Sequence, residues 1–121
     1  MVGSNLFADI LTDLGAAIQG SLGLAASGNL SLAGKGPSMF EPVHGSAPDI
    51  AGTSRANPIG AVWSAALMLR HLGYEAEARR IERAIDAVCE DGRVLTGDLG
   101  GRASTQEVGD ALTLALGSGA G

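Results

Sequence analysis

The chain has 121 residues, of which 45% are hydrophobic, only 3% are aromatic and 19 are glycines. That length and apolar content fit one domain with a modest core, and the scarcity of aromatic residues argues against a small all-β module. The formal net charge of −5 comes without a cluster of Lys and Arg, which argues against nucleic acid and anionic membranes as partners.

The first predicted element is an amphipathic helix between Leu6 and Ile18, where apolar residues recur at helical spacing. Asp9 and Asp13 lie one turn apart on the same face of this helix. Such a pair either holds a hard cation such as Mg²⁺ with further oxygen ligands or belongs to an ordinary solvated helix face. The spacing alone favours the solvated face, because acidic pairs of this kind are common on helix surfaces.

A glycine-rich connection is predicted over residues 27–37, followed by a short strand over residues 38–43. The connection superficially resembles a phosphate-binding P-loop, but it has one residue too many, and Gly36 stands where that motif needs Ser or Thr. A P-loop is therefore rejected. No G-x-G-x-x-G motif joins a strand to a helix either, so any dinucleotide must be held without the Rossmann fingerprint.

The most informative segment is the loop from Glu41 to Gly52, which closes at Asn57-Pro58. It combines turn-forming residues and polar side chains over a length that can wrap a ligand. His44 can be a ligand, a base or a stacking platform, or simply a hydrogen-bonded loop residue. Asp49 can accept hydrogen bonds from sugar hydroxyls or form an Asx-turn. The residue types alone do not separate these alternatives.

A helix over residues 58–71 is predicted to start at Asn57 and Pro58. An asparagine side chain caps free N–H groups, and proline is tolerated at the first helical position. The segment is apolar nearly all round, so we expect it at the centre of the packing or at a subunit interface. Gly73 is predicted to end it.

Two further helices have an apolar face each. A surface helix over residues 74–90 ends at Gly92, and a capping box of Ser104 and Glu107 starts the last helix. The apolar positions are Ala78, Ile81, Ile85 and Val88 in the first of these helices, and Val108, Ala111, Leu112 and Ala115 in the second. Residues 117–121 are predicted to form a flexible tail.

Three motifs occur in a fixed order: the segment from Asn5 to Asp13, the loop from Phe40 to Gly52, and Ala56-Asn57-Pro58. In this order they closely resemble the C-terminal part of the isocitrate/isopropylmalate dehydrogenase family, the NAD-dependent β-decarboxylating dehydrogenases. The resemblance covers essentially the whole chain. Three motifs in register are far more specific than any one of them.

The resemblance implies an α/β fold, namely the C-terminal portion of an isopropylmalate-dehydrogenase-like two-domain subunit that is mostly helical in this segment. Residues 1–25 would supply a helix of the metal-binding and dimer-forming domain. Residues 26–116 would form the C-terminal part of the nucleotide-binding domain, with the flexible tail after them. Only about the last third of such an enzyme is present, so we expect a fragment of a longer protein.

In that family the long loop holds the adenosine half of NAD. The histidine that matches His44 lies against the adenine, the aspartate that matches Asp49 binds the ribose hydroxyls, and the asparagine that matches Asn57 lies near the adenine. Glu41 matches a glutamate near the nicotinamide end. The full set implied to bind NAD is Glu41, His44, Gly45, Ser46, Ala47, Pro48, Asp49, Ile50, Ala51, Gly52 and Asn57.

The cofactor implied is NAD rather than NADP. Asp49 can accept bonds from a 2′-hydroxyl but would repel a 2′-phosphate. The NADP-using relatives also carry a basic residue and a tyrosine where this chain has Asp49 and Ile50.

The resemblance reverses the interpretation of the acidic pair, because the aspartates that match Asp9 and Asp13 bind the divalent cation, Mg²⁺ or Mn²⁺. It implies oxidative decarboxylation of a 2-hydroxy dicarboxylic acid. The lysine and tyrosine used for acid-base chemistry, the arginines that hold the substrate and a third metal carboxylate all lie upstream of the matched region. No catalytic residue is therefore expected in this chain.

The substrate stays open between 3-isopropylmalate and tartrate or D-malate. The resemblance implies that the full-length enzyme is a homodimer. The cytoplasm is the expected compartment, because the lone Cys89 fits a reducing compartment and no run reaches the roughly 20 apolar residues of a membrane span. The alternative from another class is a truncated, non-catalytic module that binds nucleotide weakly or serves only in oligomerisation.

Overall fold

The computed structural model of the chain describes residues 14, 18, 20–31, 34 and 36–118. Within this part, a small sheet is followed by helices. The elements are β1 (Ala26–Asn29), β2 (Met39–Pro42), α1 (Ile59–His71), α2 (Glu75–Asp91) and α3 (Thr105–Ser118), with 3₁₀ turns at Leu22–Leu24 and Gly97–Leu99. None of the helices in the described ranges is both long and apolar enough to cross a membrane.

Strands β1 and β2 form a two-stranded antiparallel sheet in which Ala26 pairs with Pro42 and Gly28 with Phe40. The strand predicted over residues 38–43 is confirmed as β2. The prediction of a mere connection over residues 27–37 was wrong at its beginning, where β1 lies. The small residues Ala26, Ser27, Gly28 and Asn29 give β1 little strand propensity, but a Cβ on Gly28 would lie only 3.1 Å from the Phe40 ring. The absence of a side chain therefore lets that ring pack on the backbone of β1.

Helix α1 has the central position, one of the two predicted for it, in the described chain, and it packs against α2, both strands and the first 3₁₀ turn. Its predicted cap is confirmed, since Oδ1 of Asn57 accepts the N–H of Ile59 at 2.9 Å. At its other end Gly73 has a φ of 90°. This left-handed residue lets the N–H of Tyr74 return to the carbonyl of Leu69 at 2.9 Å, which is a Schellman ending.

The core lies where the predicted apolar faces of α2 and α3 pack against each other and against Ile59 at the start of α1. Its buried members are Ile59, Ile85, Val88, Val108 and Leu112. Helix α2 ends at Gly92, whose φ is 67°, as predicted. The Ser104 capping box is also confirmed, because the Ser104 N–H donates to Glu107 Oε2 at 2.7 Å and the Ser104 hydroxyl accepts the Glu107 N–H at 3.3 Å.

The predicted first helix lies mostly outside the described residues. Leu14 and Ile18 have helical backbone and are exposed, Ile18 to 79%. At the other end α3 includes Gly117 and Ser118, which were predicted to belong to the tail. The Ser118 hydroxyl donates to the Ala115 carbonyl at 3.0 Å, and this bond supports the last turn of α3. Residues 119–121 lie outside the described part.

Candidate functional site

The segment from residue 43 to residue 56, called here the cofactor loop, joins β2 to the start of α1. It begins where the N–H of Val43 donates to the carbonyl of Ala25 at 3.0 Å, next to the sheet. Its middle is a series of tight turns, with the N–H of Ile50 bonded to Ala47 O at 3.1 Å and the N–H of Thr53 to Ile50 O at 3.1 Å. The loop therefore has a defined backbone although it lies on the surface.

The predicted NAD-binding residues lie in the cofactor loop and directly beside it in the chain. Nine of them are consecutive in the cofactor loop, from His44 to Gly52, and all are exposed except His44 and Ile50, which are half-buried. Glu41 lies just before the loop on β2 and is exposed, whereas Asn57 lies just after it and is buried. This arrangement gives an open surface with a buried polar anchor at its end.

Asp49 is exposed at a turn, and its carboxylate has no hydrogen-bond partner within the described ranges. Both oxygens can thus accept bonds from a ligand. A carboxylate in this state suits a pair of neighbouring sugar hydroxyls, since each oxygen can accept one of the two donors.

His44 is half-buried, and its Nδ1 lies 3.1 Å from the carbonyl oxygen of Gly45. A carbonyl oxygen can only accept, so this contact assigns the hydrogen to Nδ1 and leaves Nε2 and the ring face for other contacts. The arrangement is compatible with a stacking or an accepting role towards a ligand.

Two residues of the cofactor loop adopt a backbone conformation that side chains usually avoid. Ala47 has a φ of 40° and Ser54 a φ of 56°, and they are the non-glycine residues with positive φ in the part of the chain that the structure describes. Gly52, between them, has a φ of 75° at no steric cost. Such strain persists only where surrounding contacts hold it, and it is concentrated at functional loops.

Both polar atoms of the Asn57 side chain make hydrogen bonds. Oδ1 caps α1, and Nδ2 donates to Oδ2 of Asp98 at 2.9 Å. One amide hydrogen of Nδ2 is left for a further acceptor. The residue predicted to lie near the adenine is therefore, in this structure, first of all a structural anchor of the loop end.

The sequence did not point to Asp98 as part of the site, although the Asp98 side chain has several hydrogen-bond partners. Its carboxylate accepts bonds from the Ser21 hydroxyl and the Asn57 amide. A Cβ on Gly23 would lie 2.9 Å from both Asp98 Oδ2 and the Asn57 side chain, so only glycine fits beside them. The linear sequence carries no signal for this cluster, because Ser21 and Asp98 are 77 residues apart.

The environment of Asp98 shifts its acidity. Partial burial acts to raise the pKa of Asp98. Hydrogen bonds from Ser21, from Asn57 and from its own backbone N–H, together with the nearby Thr96 hydroxyl, outweigh this effect. The pKa therefore lies below the usual value. The Thr96 hydroxyl is itself buried without a hydrogen bond of good geometry, so it acts on the carboxylate only as a nearby dipole. Asp98 is thus a stable anion at neutral pH.

The predicted metal ligands Asp9 and Asp13 lie outside the described residues. Among the residues whose positions are described, no group of three or more His, Cys, Asp and Glu side chains could hold a metal ion. The described chain therefore leaves the metal prediction untested.

A surface groove of about 430 Å³ lies elsewhere, between α2 and α3, and is lined by residues such as Val88, Val94 and Leu114. Its lining is largely apolar, with Asp91 and Arg93 as its charged members. No residue of the cofactor loop lines this groove, so the groove is separate from the predicted NAD-binding residues.

Comparison with known proteins links these features to one family. The sequence model described as isocitrate/isopropylmalate dehydrogenase matches residues 1–112. The chain is 57% identical to 3-isopropylmalate dehydrogenase of Streptomyces griseus over 120 residues, which is 98% of this chain and 33% of that protein. It is 53% identical to the probable tartrate dehydrogenase/decarboxylase of Bacillus subtilis over 112 residues, which is 93% of this chain and 31% of that protein.

Comparison of the backbone with solved structures points to the same family. A β-decarboxylating dehydrogenase of Thermococcus kodakarensis, solved in its apo form, matches with a TM-score of 0.83 and 46% identity over 94% of this chain and 32% of that one. The predicted α/β fold class is thereby confirmed. The chain spans about a third of the length of the curated relatives it matches.

Proposed function

The chain belongs to the isocitrate/isopropylmalate dehydrogenase family, and on that premise we propose that it is the C-terminal part of an NAD-dependent enzyme that oxidatively decarboxylates a 2-hydroxy dicarboxylic acid. The proposed substrate is 3-isopropylmalate, or tartrate or D-malate, since relatives with both kinds of name are more than half identical to the chain. The observation that carries the proposal is the cofactor loop with the exposed carboxylate of Asp49, which has no hydrogen-bond partner among the described residues.

The donors and acceptors of the loop fit the adenosine half of NAD. Asp49 would accept hydrogen bonds from the ribose hydroxyls, and His44, whose Nδ1 is held by Gly45, would present its ring to the adenine. The remaining amide hydrogen of Asn57 is suited to an acceptor of the base. Glu41, on β2 before the loop, would face the nicotinamide end.

Asp9 and Asp13 are proposed to bind Mg²⁺ or Mn²⁺, because carboxylate oxygens are the preferred ligands of these hard cations. Residues 1–25 are accordingly assigned to the metal-binding and dimer-forming domain, and residues 26–116 to the nucleotide-binding domain. We also propose that the complete enzyme is a cytoplasmic homodimer.

When bound, NAD would accept a hydride from the substrate and the divalent cation would act as a Lewis acid. The residues of this chain would supply binding and orientation. Asp49 would fix the ribose, the hydrogen bonds that close the turns at Ile50 and Thr53 would keep the loop in shape before the ligand arrives, and Asn57 would tie the loop end to α1. Acid-base chemistry is not assigned to any residue of this chain.

The rival function is a non-catalytic module for nucleotide binding or oligomerisation. It is favoured by large apolar side chains exposed in the described part, such as Leu114 at 77%. Both functions predict nucleotide binding or self-association, so turnover in a complete protein is needed to separate them.

Nucleotide binding is tested by titration calorimetry of NAD into the 121-residue chain with Mg²⁺ present. We expect saturable binding that Asp49→Ala abolishes or weakens by at least about 10-fold, since it removes hydrogen bonds to a charged acceptor. Asp110→Ala is the matched control, because Asp110 is an exposed aspartate of α3 that bonds only Gln106 among the described residues. Absence of binding, or equal loss in both variants, would contradict the assignment of the loop.

Catalysis is tested by replacing the matching third of the Streptomyces griseus relative with this chain. We expect NAD reduction with 3-isopropylmalate, because the substrate-holding residues lie upstream and come from the Streptomyces griseus part, so the chimera tests catalysis and not the choice of substrate. Asp9→Asn and Asp13→Asn should each raise the Mg²⁺ concentration needed for half-maximal activity. A folded chimera that is inactive with 3-isopropylmalate would favour the non-catalytic module.

A further inference from the structure

The end of the cofactor loop is held by a residue of a different element. Thr105, the first residue of α3, donates its backbone N–H to the Ser54 carbonyl at 2.8 Å and its hydroxyl to the Ala56 carbonyl at 2.5 Å. Two bonds from one residue thus bracket Arg55. The contact joins parts of the chain that are 49 residues apart.

The contact satisfies a free N–H group of α3 and also fixes the backbone at the end of the loop. The N–H of Thr105 is one of the donors in the first turn of a helix that have no partner within the helix. The Ser54 carbonyl supplies one, while Ser104 and Glu107 cap their neighbours in the same turn. In return, the bonds fix the backbone on both sides of Arg55, immediately after Ser54 with its unfavourable φ of 56°.

The rest of the loop has mainly local bonds. The turns at Ile50 and Thr53 are closed by residues three positions away, and such bonds set the shape of a turn without fixing where the turn lies on the protein. Within the described ranges, the bonds that attach the loop to the helical core come from Thr105, apart from the anchor at Asn57. Loop position therefore depends on this residue.

We propose that Thr105 is a positioning residue of the cofactor loop: its hydroxyl and N–H hold residues 54–56 so that the loop is in its binding shape before NAD arrives. The proposal rests on the proposed function for its consequence, since a loop ordered in advance loses less entropy on binding and binds more tightly. Thr105 itself does not touch the ligand.

The test uses three variants of the full chain. Thr105→Val keeps the shape and the N–H but removes the hydroxyl, and Thr105→Ser restores the hydroxyl. Thr113→Val is the matched control, since its hydroxyl donates to the Gly109 carbonyl within the same helix at 2.9 Å and makes no hydrogen bond to the loop among the described residues. Amide hydrogen exchange is measured without ligand, and NAD affinity by calorimetry.

We expect Thr105→Val to speed exchange of the loop amides of Ile50, Ala51 and Thr53 by about 3- to 10-fold, the change expected from losing one net hydrogen bond. Exchange in α1 and α2 should not change, and NAD affinity should fall by a similar factor. Thr105→Ser and Thr113→Val should behave like the wild type in both measurements.

Unchanged loop exchange in Thr105→Val would overturn the proposal, as would acceleration spread equally over α1 and α2, which is the mark of a merely structural residue. A wild-type chain that does not bind NAD would contradict the proposed function instead. In that case the exchange data alone decide whether Thr105 positions the loop.

Discussion

The side-chain amide of Asn57 donates a hydrogen bond of 2.9 Å to Oδ2 of Asp98, across 41 residues of sequence. Oδ1 of the same amide accepts the N–H of Ile59 at the start of α1. Asp98 in turn accepts the Ser21 hydroxyl. One buried side chain therefore joins the end of the cofactor loop, the start of α1 and the turn that carries Asp98.

Asn57 and Asp98 should be energetically coupled. Asn57→Ala and Asp98→Ala each remove the same hydrogen bond, so the double variant should lose less stability than the sum of the two single variants, with a coupling energy of about 0.5 to 3 kcal/mol. Urea unfolding of the four proteins measures this energy. Asn57→Ala combined with Arg79→Ala is the control, because Arg79 bonds Glu75 on the surface of α2. Simple additivity of Asn57 and Asp98 would contradict the contact.

Asp98 should make the stability of the chain depend on pH in the acid range. Hydrogen bonds outweigh partial burial and hold its pKa below the usual value in the folded chain. The folded chain therefore binds the proton less readily than the unfolded chain. The stabilisation is fully present above the unfolded pKa of about 3.9 and is lost as the pH falls through the lower folded pKa.

Asp98→Asn removes this titration. The difference in unfolding free energy between wild type and variant should be largest at neutral pH and shrink below about pH 4. Because the residue is more than a third exposed, solvent screening should keep the difference to about 1 kcal/mol or less. Urea unfolding at several pH values from neutral to acid measures it, with Asp110→Asn as a surface control. A difference in unfolding free energy that does not vary with pH would contradict this role of Asp98.

Alanine at two helical glycines should have opposite effects. A Cβ on Gly109 in α3 meets nothing within 4 Å, so Gly109→Ala should stabilise by about 0.5 to 1 kcal/mol through helix propensity. A Cβ on Gly60 in α1 would lie 2.7 Å from the Gly23 carbonyl oxygen. Backbone cannot rotate away, so Gly60→Ala should destabilise by more than about 1 kcal/mol. Equal stabilities of the two variants in urea would show that the close approach is not needed.

The helices could be predicted because their signals are local. Asn57 before α1, Gly92 after α2 and the Ser104 capping box each lie within a few residues of the helix end that they determine, and all three are confirmed. Strand β1 could not be predicted in the same way, because Gly28 becomes part of a strand only through Phe40, which lies across the hairpin.

The residues of the candidate site also differ in whether their signal in the sequence is local. The cofactor loop could be located from its composition and from a family resemblance that its motifs carry, and most of its residues are exposed in the structure. Asp98 and Thr105 could not be found, because each acts on the loop end from a distant part of the sequence. Their roles follow only from the packing that brings α3 and its preceding turn next to Asn57.

Asp49 should set the preference for NAD over NADP. Its exposed carboxylate can accept bonds from both ribose hydroxyls of NAD but repels the 2′-phosphate of NADP. Asp49→Asn keeps the size and removes the charge, so NAD should bind more weakly and NADP more tightly. The ratio of the two dissociation constants should change by at least about 10-fold, since a hydrogen bond to a charged acceptor contributes about 1.5 to 3 kcal/mol.

Calorimetry with both dinucleotides at low and high salt separates the two effects. Repulsion of the phosphate is screened by salt, so NADP binding to the wild type should strengthen relative to NAD as the salt concentration rises, and this trend should disappear in Asp49→Asn. Asp110→Asn should leave both affinities unchanged. Equal affinities of the wild-type chain for NAD and NADP would remove Asp49 from the ribose site, whatever else the loop binds.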